Sequence, residues 1–300
     1  MARKSSIGWK SSCVVLAAAV LLDAGCGRSK KPIVVGSKDT TEQTVLAEIV
    51  AQHLEHRLGR KVVRNLSMGN TVVVYQALMN GEIGVYPEET GSIQASILKE
   101  APSSDAATAL ERVRNEMRRI AQAEVLDPLG IDNGWAIVVS KDEAARNKIE
   151  TLSDATNVKS GWKLGVTRDF NERSDGLASF TQYRLPMGAM TFVGERSSLY
   201  TSFQDGKLTM VAGNMTDGWL ARHDNAKVLQ DDKKVFGHYQ TCLMARLDLL
   251  ANDPKIQPAL AELSGKITTA DMRRLDAQVS IDHKIPADVA AEFLSQAGLK

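Results

Sequence analysis

Polar side chains follow two short apolar runs at the points where a helix is predicted to begin. They stand at two junctions: Lys38, Asp39 and Gln43 after Ile33-Val34-Val35, and Asn70 and Thr71 after Val62-Val63. At such a junction, polar side chains and the free N–H groups of the first helical turn can face a cleft and bind a ligand. For Asp39 and Asn70, capping of the following helix is the stronger interpretation, and Glu42 is placed to complete a capping box behind Asp39.

The sequence carries none of the motifs that identify common enzyme classes. It lacks a G-x-S-x-G nucleophile elbow, an H-E-x-x-H zinc motif and a phosphate-binding P-loop. His53 and His56 are three residues apart on one predicted helix, a spacing that could suit a metal ion. Helix surfaces commonly carry such pairs, however, so a solvated face is the stronger interpretation. We therefore expect no catalytic residue, no metal and no cofactor.

Cysteine positions limit the redox and metal chemistry of the chain. Cys13 lies in an N-terminal leader, Cys26 ends that leader, and only Cys242 follows. With Cys26 lipidated, only Cys242 keeps a free thiol, so we expect no intrachain disulfide and no cysteine zinc site in the mature chain. Because Cys242 stands in the apolar run Thr241-Cys242-Leu243-Met244, we expect it to be a core residue.

The leader has the layout of a secretory signal. Basic residues precede the apolar stretch Val14–Leu22, which is too short to span a bilayer. The run Leu21-Leu22-Asp23-Ala24-Gly25-Cys26 resembles the end of a bacterial lipoprotein signal, in which residues 1–25 are removed and Cys26 is lipidated. Asp23 stands where that pattern carries an apolar residue, so the pattern predicts export and leaves lipidation open. An uncleaved N-terminal anchor would also give an exported protein.

The composition is that of an ordinary globular protein. Hydrophobic residues make up 43% and charged residues 24% of the 300 residues, and the sequence predicts one large domain or two medium ones. The formal net charge is +1, of which the leader supplies three positive charges and one negative, so the chain from Cys26 is near −1. This balance gives no electrostatic reason to expect nucleic-acid binding.

Short apolar runs alternate with amphipathic segments along the chain. The predicted strands are Ile33–Val35, Val62–Val63, Ile83–Tyr86 (ended by Pro87), Trp135–Val139, Leu164–Val166, Met210–Ala212 and Thr241–Ala245. The predicted helices begin at Asp39 and Asn70 and then cover 102–120, 198–204, 254–263, 268–279 and 286–296. This alternation predicts an α/β fold with largely parallel sheets, arranged as two lobes between which the chain crosses and returns.

A set of short motifs, kept in order over nearly the whole mature chain, resembles a known family. The motifs are G-S-K-D-T-T-E-Q at 36–43, G-N-T at 69–71, Y-Q-A-L at 75–78, N-G-E-I at 80–83, Y-P-E-E-T-G at 86–91, D-F with R and D-G at 169–176, T-D-G at 216–218, Y-Q at 239–240 and G-K-I-T at 265–268. Each is weak alone. Together they resemble the substrate-binding proteins of glycine betaine, choline and carnitine importers.

This resemblance implies a type II periplasmic-binding-protein fold with a ligand cleft between two α/β lobes. One lobe would comprise 32–136 plus 239–300 and the other 137–238. In such proteins the lobes close on a small solute, and the closed form is recognised by a membrane permease with its ATPase. We accordingly expect an exported monomer in the periplasm or cell envelope, anchored to the membrane through Cys26.

The resemblance also implies cation–π capture of the ligand, because a quaternary ammonium has no N–H to donate and an aromatic face can attract its charge. Tyr239 matches the family's late tyrosine, and Trp135 stands where the family often has a tyrosine. Tyr200 begins a stretch similar to Y-Q-A-L and could be a third wall. The alternative for each ring is a core or hinge position. We favour ligand contact for Tyr239 and Trp135 and leave Tyr200 open.

The chain departs from the family pattern at positions that affect the ligand. Glu89 replaces the second tyrosine of Y-P-E-Y-T-G, Thr40 replaces a phenylalanine, and Gly237-His238 replaces Pro-Pro before Tyr239. A carboxylate at position 89 could pair with a cation or accept hydrogen bonds from an N–H-bearing one, and it would repel a ligand carboxylate. The alternative is that Glu89 points into solvent.

The remaining candidates are carried over residue by residue. Tyr86 and Thr90 flank Glu89 in its motif. Arg173 could bind a ligand carboxylate or bridge the lobes, and Asp217 could orient a hydroxyl or an ammonium. The sequence thus predicts the solute-binding component of an ABC importer for a small cationic or zwitterionic solute of the quaternary-ammonium class. The alternatives are a non-quaternary amine or other small solute, and a sensor that signals to a membrane receptor.

Overall fold

The computed structural model describes residues 32–300, so the predicted signal peptide over 1–25 and the predicted lipidation of Cys26 lie outside the described residues. Within this range ten strands form two five-stranded sheets. The strands are β1 (Ile33–Gly36), β2 (Val62–Asn65), β3 (Val85–Glu89), β4 (Ala123–Val125), β5 (Trp135–Ser140), β6 (Trp162–Thr167), β7 (Met187–Val193), β8 (Met210–Asn214), β9 (Ala226–Val228) and β10 (Thr241–Arg246).

Helices cover both faces of each sheet. They are α1 (Thr41–Leu58), α2 (Thr71–Asn80), α3 (Thr90–Ser92), α4 (Ala106–Ala121), α5 (Lys141–Asn147), α6 (Arg168–Glu172), α7 (Leu177–Phe180), α8 (Arg196–Gln204), α9 (Leu247–Asn252), α10 (Ile256–Ala261), α11 (Thr269–Ser280) and α12 (Pro286–Gln296). A π-helical turn over Ile93–Leu98 continues α3, and a short 3₁₀ helix covers Gly218–Ala221. No helix in the described range is long and apolar enough to cross a membrane.

The first sheet has the order β2-β1-β3-β10-β4 and the second the order β7-β6-β8-β5-β9. We call the part of the chain built on the first sheet lobe 1 and the part built on the second sheet lobe 2. The α/β fold with two lobes agrees with the prediction from sequence. The lobe boundaries at 136/137 and 238/239 stay predictions.

The prediction of largely parallel sheets is only half right. β1 runs parallel to β2 and β3, and β6 runs parallel to β7 and β8. β10, however, is antiparallel to β3 and β4, and β5 is antiparallel to β8 and β9. These two strands are the ones that follow a crossing of the chain from one sheet to the other. They do not follow a crossover helix within their own sheet, which is the connection that gives parallel pairing.

The prediction that Pro87 ends a strand is wrong. Pro87 lies inside β3, where it pairs with Leu243 of antiparallel β10. On the other side β3 pairs with β1 at Val85, opposite Val35. Because Pro87 lies beyond that pairing, the N–H group that proline lacks is not needed for a hydrogen bond to β1.

Side-chain caps begin six of the twelve α-helices in residues 32–300. Thr40, and not Asp39 as predicted, is the N-cap of α1, and its hydroxyl accepts the Gln43 N–H at 3.4 Å. The predicted cap Asn70 is confirmed, since its side chain accepts the N–H groups of the first turn of α2. Thr268 and Asp271 form a capping box at the start of α11. Pro254 to Leu263, predicted as one helix, is helical only over α10.

Two apolar clusters lie on opposite faces of each sheet, as expected for an open α/β sheet. In lobe 1, α1 and the C-terminal helices pack on one face around Leu46 and Leu260, and α2 and α4 pack on the other around Leu78 and Met117. Cys242 is buried in this second cluster, as predicted. Lobe 2 has the same layout. The sheets therefore hold the ends of β1, β3 and β5 in fixed positions.

The loop after β8 fastens lobe 2 to lobe 1. Arg273 of α11 donates a hydrogen bond to the Met215 carbonyl oxygen at 2.5 Å, and the Gly218 N–H donates to Asp276 Oδ2 at 2.8 Å. A Cβ at Gly218 would lie 2.5 Å from the Ala277 nitrogen, so only glycine permits this approach. The two lobes thus touch through backbone groups as well as side chains.

Candidate functional site

A buried ion pair lies where β1 and β3 end. Lys38 follows β1, and its Nζ donates to Glu88 Oε1 at 2.5 Å and to Glu89 Oε2. Glu88 and Glu89 are the last two residues of β3, so a lysine and two carboxylates fifty residues apart in sequence meet at one edge of the sheet. All three side chains are buried, and Glu89 is only 5% exposed. The alternative in which Glu89 points into solvent is therefore wrong.

Burial and the lysine act in opposite directions on the two carboxyl groups. Burial raises the pKa of Glu88 to about 8, outweighing the attraction of Lys38. Burial acts on Glu89 in the same direction, but Lys38 and the hydrogen bonds to its carboxylate bring the pKa of Glu89 down to about 2. Burial would lower the pKa of Lys38, but the two carboxylates raise it above its ordinary value. The charged pair at neutral pH is therefore Lys38 with Glu89.

Two further side chains hold Glu89 in place. Gln43 Nε2 donates to Glu89 Oε1 at 2.7 Å, and the Ser92 hydroxyl donates to Glu89 Oε2 at 3.0 Å. Gln43 is on the first turn of α1, and Ser92 is in α3 directly after β3. Glu89 thus accepts hydrogen bonds from three separate segments, which fixes its orientation.

Glu42, next to Gln43 on α1, joins the two lobes. Its Oε2 accepts a hydrogen bond from the Thr216 hydroxyl of lobe 2 and another, at 2.9 Å, from Asn133 Nδ2 in the crossing segment. Burial, followed by the nearby charge of Glu89, raises the pKa of Glu42 to about 8. The Glu42 carboxyl group therefore contacts lobe 2, and its protonation depends on the nearby charge of Glu89.

The two favoured aromatic candidates lie around one arginine. The guanidinium carbon of Arg173 is 5.2 Å from the Trp135 ring centroid and 5.1 Å from the Tyr239 ring centroid. Trp135 begins β5 in lobe 2, and Tyr239 lies just before β10 in lobe 1. Both rings are buried. A cation of the protein itself therefore occupies the faces that were predicted to attract a cationic ligand.

Asp175 orients this arrangement. It accepts two hydrogen bonds from Arg173, Nε to Oδ1 and Nη2 to Oδ2, each at 3.0 Å. It also accepts the indole N–H of Trp135 at 3.3 Å. Arg173 in turn donates to the Tyr239 hydroxyl. The fork of two parallel hydrogen bonds fixes the guanidinium plane against both rings.

Glycine at position 91 lets Tyr239 pack against α3. A Cβ at Gly91 would lie 2.6 Å from ring atoms of Tyr239. Thr90, just before it, is fully buried and donates its hydroxyl to the His238 carbonyl oxygen at 3.2 Å. The Thr90-Gly91 pair therefore positions the segment that carries Tyr239.

Asp217 and Tyr200 form a separate cluster in lobe 2. The Tyr200 hydroxyl donates to Asp217 Oδ2 and Arg196 Nη1 donates to Asp217 Oδ1, both at 2.6 Å. The Tyr200 ring stacks on Trp219 at a centroid distance of 4.5 Å. Burial, followed by the charge of Asp217, raises the pKa of Tyr200 well above its ordinary value. Asp217 and Tyr200 are thus engaged with each other inside lobe 2.

The other candidates have local roles. Tyr86 is fully buried in the core cluster between β3 and α2. Asn70 caps α2 and is exposed, Asp39 is exposed beside the cap of α1, and Thr71 is buried at the start of α2. The structure joins Lys38, Gln43 and Glu89 by hydrogen bonds, whereas the buried Tyr86 hydroxyl lies near Glu88 and Glu89 without a hydrogen-bond partner in residues 32–300.

Several residues at the site were not singled out by sequence reasoning as ligand contacts: Glu42, Glu88, Asn133, Asp175 and Thr216. Glu42 was interpreted only as part of a helix cap, and Glu88, Asp175 and Thr216 lie inside motifs whose other residues drew attention. The signal that could have found Glu88 is a second carboxylate beside Glu89 at the end of a strand. Such a residue needs a buried partner when the strand is central.

Metal binding finds no support in the described residues. Among residues 32–300, no group of three or more His, Cys, Asp or Glu side chains could hold a metal ion. His53 is fully buried, with Nδ1 3.0 Å from the Leu299 carbonyl oxygen and Nε2 3.0 Å from the Ala259 carbonyl oxygen. The solvated face predicted for His53 and His56 is therefore wrong for His53, whereas His56 is exposed.

Comparison of the sequence and the structure with known proteins identifies one family and several relatives. Residues 31–296 match the family described as the substrate binding domain of the ABC-type glycine betaine transport system. The carnitine transport binding protein OpuCC of Listeria monocytogenes is 29% identical over 272 residues, covering 90% of this chain and 88% of the relative. The glycine betaine-binding protein YehZ of Escherichia coli is 30% identical over 308 residues, covering 97% of each chain. A crystal structure of a glycine betaine/carnitine/choline ABC transporter superposes with a TM-score of 0.81 at 28% identity, covering 89% of this chain and 99% of that one.

Proposed function

The chain belongs to the family of substrate-binding domains of ABC-type glycine betaine transport systems, and on this premise we propose that it captures a quaternary-ammonium or related cationic solute. A member of this family is a transport protein rather than an enzyme, and it works outside the cytoplasm. The relatives named for carnitine and glycine betaine support a ligand of this class.

The observation that carries the proposal is the position of Arg173 over Trp135 and Tyr239. A guanidinium about 5 Å from two ring centroids lies within the range of a cation–π interaction. The two rings therefore already bind a cation in this structure. A ligand cation that displaces the guanidinium would find both ring faces in place.

Closure of the two lobes on a solute is expected because the Trp135 and Tyr239 rings belong to different lobes. Trp135 belongs to the first strand of lobe 2 and Tyr239 to the segment that enters lobe 1. A cation held between them would contact both lobes, which stabilises the closed arrangement relative to the open one. We propose that the closed form is what the ABC permease and its ATPase recognise.

The anchor and the oligomeric state complete the proposal. Cys26 would carry the lipid that holds the protein at the membrane, and the mature chain would act as a monomer. Incorporation of labelled palmitate, lost in Cys26→Ser, tests the anchor. Light scattering of the mature domain tests the monomer.

The test of the proposed function is calorimetric titration of the mature domain with choline, glycine betaine and carnitine. We expect saturable binding of at least one of them, weakened roughly two- to thirtyfold by Trp135→Ala and by Tyr239→Ala. Phe192→Ala is the matched control, because Phe192 is an aromatic side chain on β7 that is 59% exposed. Silence from all three solutes would overturn the proposal.

A further inference from the structure

Three buried carboxyl and amide oxygens beside Glu89 receive no hydrogen bond from any residue in the range 32–300. Two of them, Glu42 Oε1 and Gln43 Oε1, lie on the first turn of α1, and the third, Glu88 Oε2, lies on β3. Gln43 is 1% exposed and Glu42 is 6% exposed, so these oxygens are not accessible to bulk water. An amide or carboxyl oxygen buried without a donor is costly, and buried polar atoms in folded proteins are nearly always paired.

The two free oxygens on α1 belong to one group of side chains. The Gln43 amide is fixed by the hydrogen bond from Nε2 to Glu89 Oε1 at 2.7 Å, which leaves its carbonyl oxygen as the free acceptor. Glu42 is close enough to Glu89 and Lys38 for both charges to act on its carboxyl group. The group therefore presents acceptors from Glu42, Gln43 and Glu89 around a single lysine.

This group faces the junction of the lobes. Glu42 Oε2 is bound by Thr216 of lobe 2, so separation of the lobes would uncover the same carboxyl group. Asn133 links the acceptor group to the aromatic pair, because its Nδ2 donates to Glu42 Oε2 at 2.9 Å and its backbone N–H donates to the Tyr239 carbonyl oxygen at 3.0 Å. A solute held by Trp135 and Tyr239 would thus have these acceptors nearby.

A positively charged donor would stabilise the ionised form of Glu42, whose pKa burial raises to about 8. Lys38 is shared by Glu88 and Glu89, and Glu42 lies beside them with hydrogen bonds only to the neutral residues Asn133 and Thr216 among the described residues. A quaternary ammonium would supply charge but no hydrogen for the two free oxygens. A protonated amine supplies both.

We propose that Glu42, Gln43 and Glu89 form a subsite for a cation that carries N–H groups, so that the preferred solute is a primary, secondary or tertiary ammonium rather than a quaternary one. This proposal rests on the proposed function, since it specifies the chemical class of solute for the same site. Glu42 Oε1 and Gln43 Oε1 accept the N–H groups, and Glu89 supplies the nearby negative charge.

The test is calorimetry with a methylation series: ethanolamine, N-methylethanolamine, N,N-dimethylethanolamine and choline. All four carry one positive charge and one hydroxyl, and they offer three, two, one and no N–H donors. We expect affinity to fall along the series, with roughly a tenfold loss between the last amine and choline, because the free acceptors then stay unpaired. Choline binding as tightly as ethanolamine would overturn the subsite while leaving the proposed cation site standing. If none of the four compounds binds, both the subsite and the proposed cation site are overturned.

Variants locate the effect. Gln43→Met removes the acceptor but keeps an unbranched side chain, and we expect it to weaken ethanolamine about tenfold and choline less than threefold. Gln52→Met, on the same helix, is the matched control and should leave the series unchanged. If Gln43→Met does not fold, as judged by thermal unfolding, Glu42→Gln serves instead, since it keeps the shape of the side chain and cannot ionise when the cation binds. Equal losses for ethanolamine and choline in both variants would contradict a donor-specific subsite.

Discussion

The guanidinium carbon of Arg173 lies 5.1 Å from the ring centroid of Tyr239, and the same guanidinium donates a hydrogen bond to the Tyr239 hydroxyl. Tyr239 therefore binds one arginine through both its face and its polar tip. Burial opposes the charge of Arg173, but the hydrogen bonds to Asp175 keep its pKa above the ordinary value. A cationic solute must compete with this fixed internal cation for the ring.

Replacing Arg173 tests that competition. We expect Arg173→Met to tighten choline binding by roughly two- to thirtyfold, because the ring faces no longer have to release a cation. Calorimetry with choline and glycine betaine measures the change. Arg168→Met, an exposed arginine on the neighbouring α6, is the control. Weaker glycine betaine binding with unchanged choline binding would instead assign Arg173 to a ligand carboxylate.

Lys38 is expected to be essential for stability. Lys38→Met leaves Glu89 buried without its counter-charge, and breaking such a pair costs about 3–5 kcal/mol. Adding Glu89→Gln to that variant should recover part of the loss, since the uncompensated charge disappears. Denaturant unfolding of the two single variants and the double variant gives the coupling energy. Lys284→Met serves as the control, because Lys284 pairs with Glu292 at the surface at 3.6 Å. A loss below about 1 kcal/mol for Lys38→Met would contradict the burial of a charged pair.

Asp276 should make stability depend on pH. Burial, followed by repulsion from Asp217, raises the pKa of Asp276 to about 6 from 3.8. Because the folded state then binds the proton more tightly than the unfolded state, this contribution is present below pH 3.8 and is lost as the pH rises through 6. Asp276→Asn, which keeps an acceptor for the Gly218 N–H, should therefore gain stability relative to wild type between pH 4 and 7, by up to about 3 kcal/mol.

Thermal or denaturant unfolding at several pH values measures this difference. Asp282→Asn is a suitable control, because Asp282 is an exposed carboxylate that pairs with Arg222. A constant difference between wild type and Asp276→Asn across pH 4 to 7 would show that Asp276 titrates as an exposed group.

Local signals in the sequence predicted much of the fold. The apolar run from Trp135, the cap at Asn70 and the starts of α11 and α12 depend on neighbouring residues, so sequence spacing was sufficient to place them. The start of α1 was placed one residue early because Asp39 and Thr40 are both good caps and only the backbone path distinguishes them. The prediction that Pro87 ends a strand was wrong because the length of the neighbouring strand β1 decides whether a proline is tolerated at that position.

The candidate site was less predictable because its contacts are long-range. Lys38 and Glu89 were both named, but their pairing joins residues 51 positions apart and depends on how β1 and β3 align. The position of Arg173 over two rings likewise depends on where the lobes meet. Tyr86 and Tyr200 could not be separated from Trp135 and Tyr239 by residue type, since all four rings are buried and the fold decides which of them lie against Arg173.

A substitution at position 89 is expected to change which solute the protein prefers. The family pattern carries a tyrosine there, and Glu89→Tyr would replace the carboxylate of the proposed ammonium subsite with a ring while Lys38 keeps Glu88 as its partner. We expect ethanolamine to bind about tenfold more weakly and choline and glycine betaine more tightly, because the negative charge that holds Gln43 and attracts the ammonium is lost and one cation-binding face is gained. Glu88→Gln is the matched control, since it changes the neighbouring carboxylate and leaves Glu89 in place. If the ratio of ethanolamine to choline affinity is the same in wild type and Glu89→Tyr, then Glu89 does not select the solute.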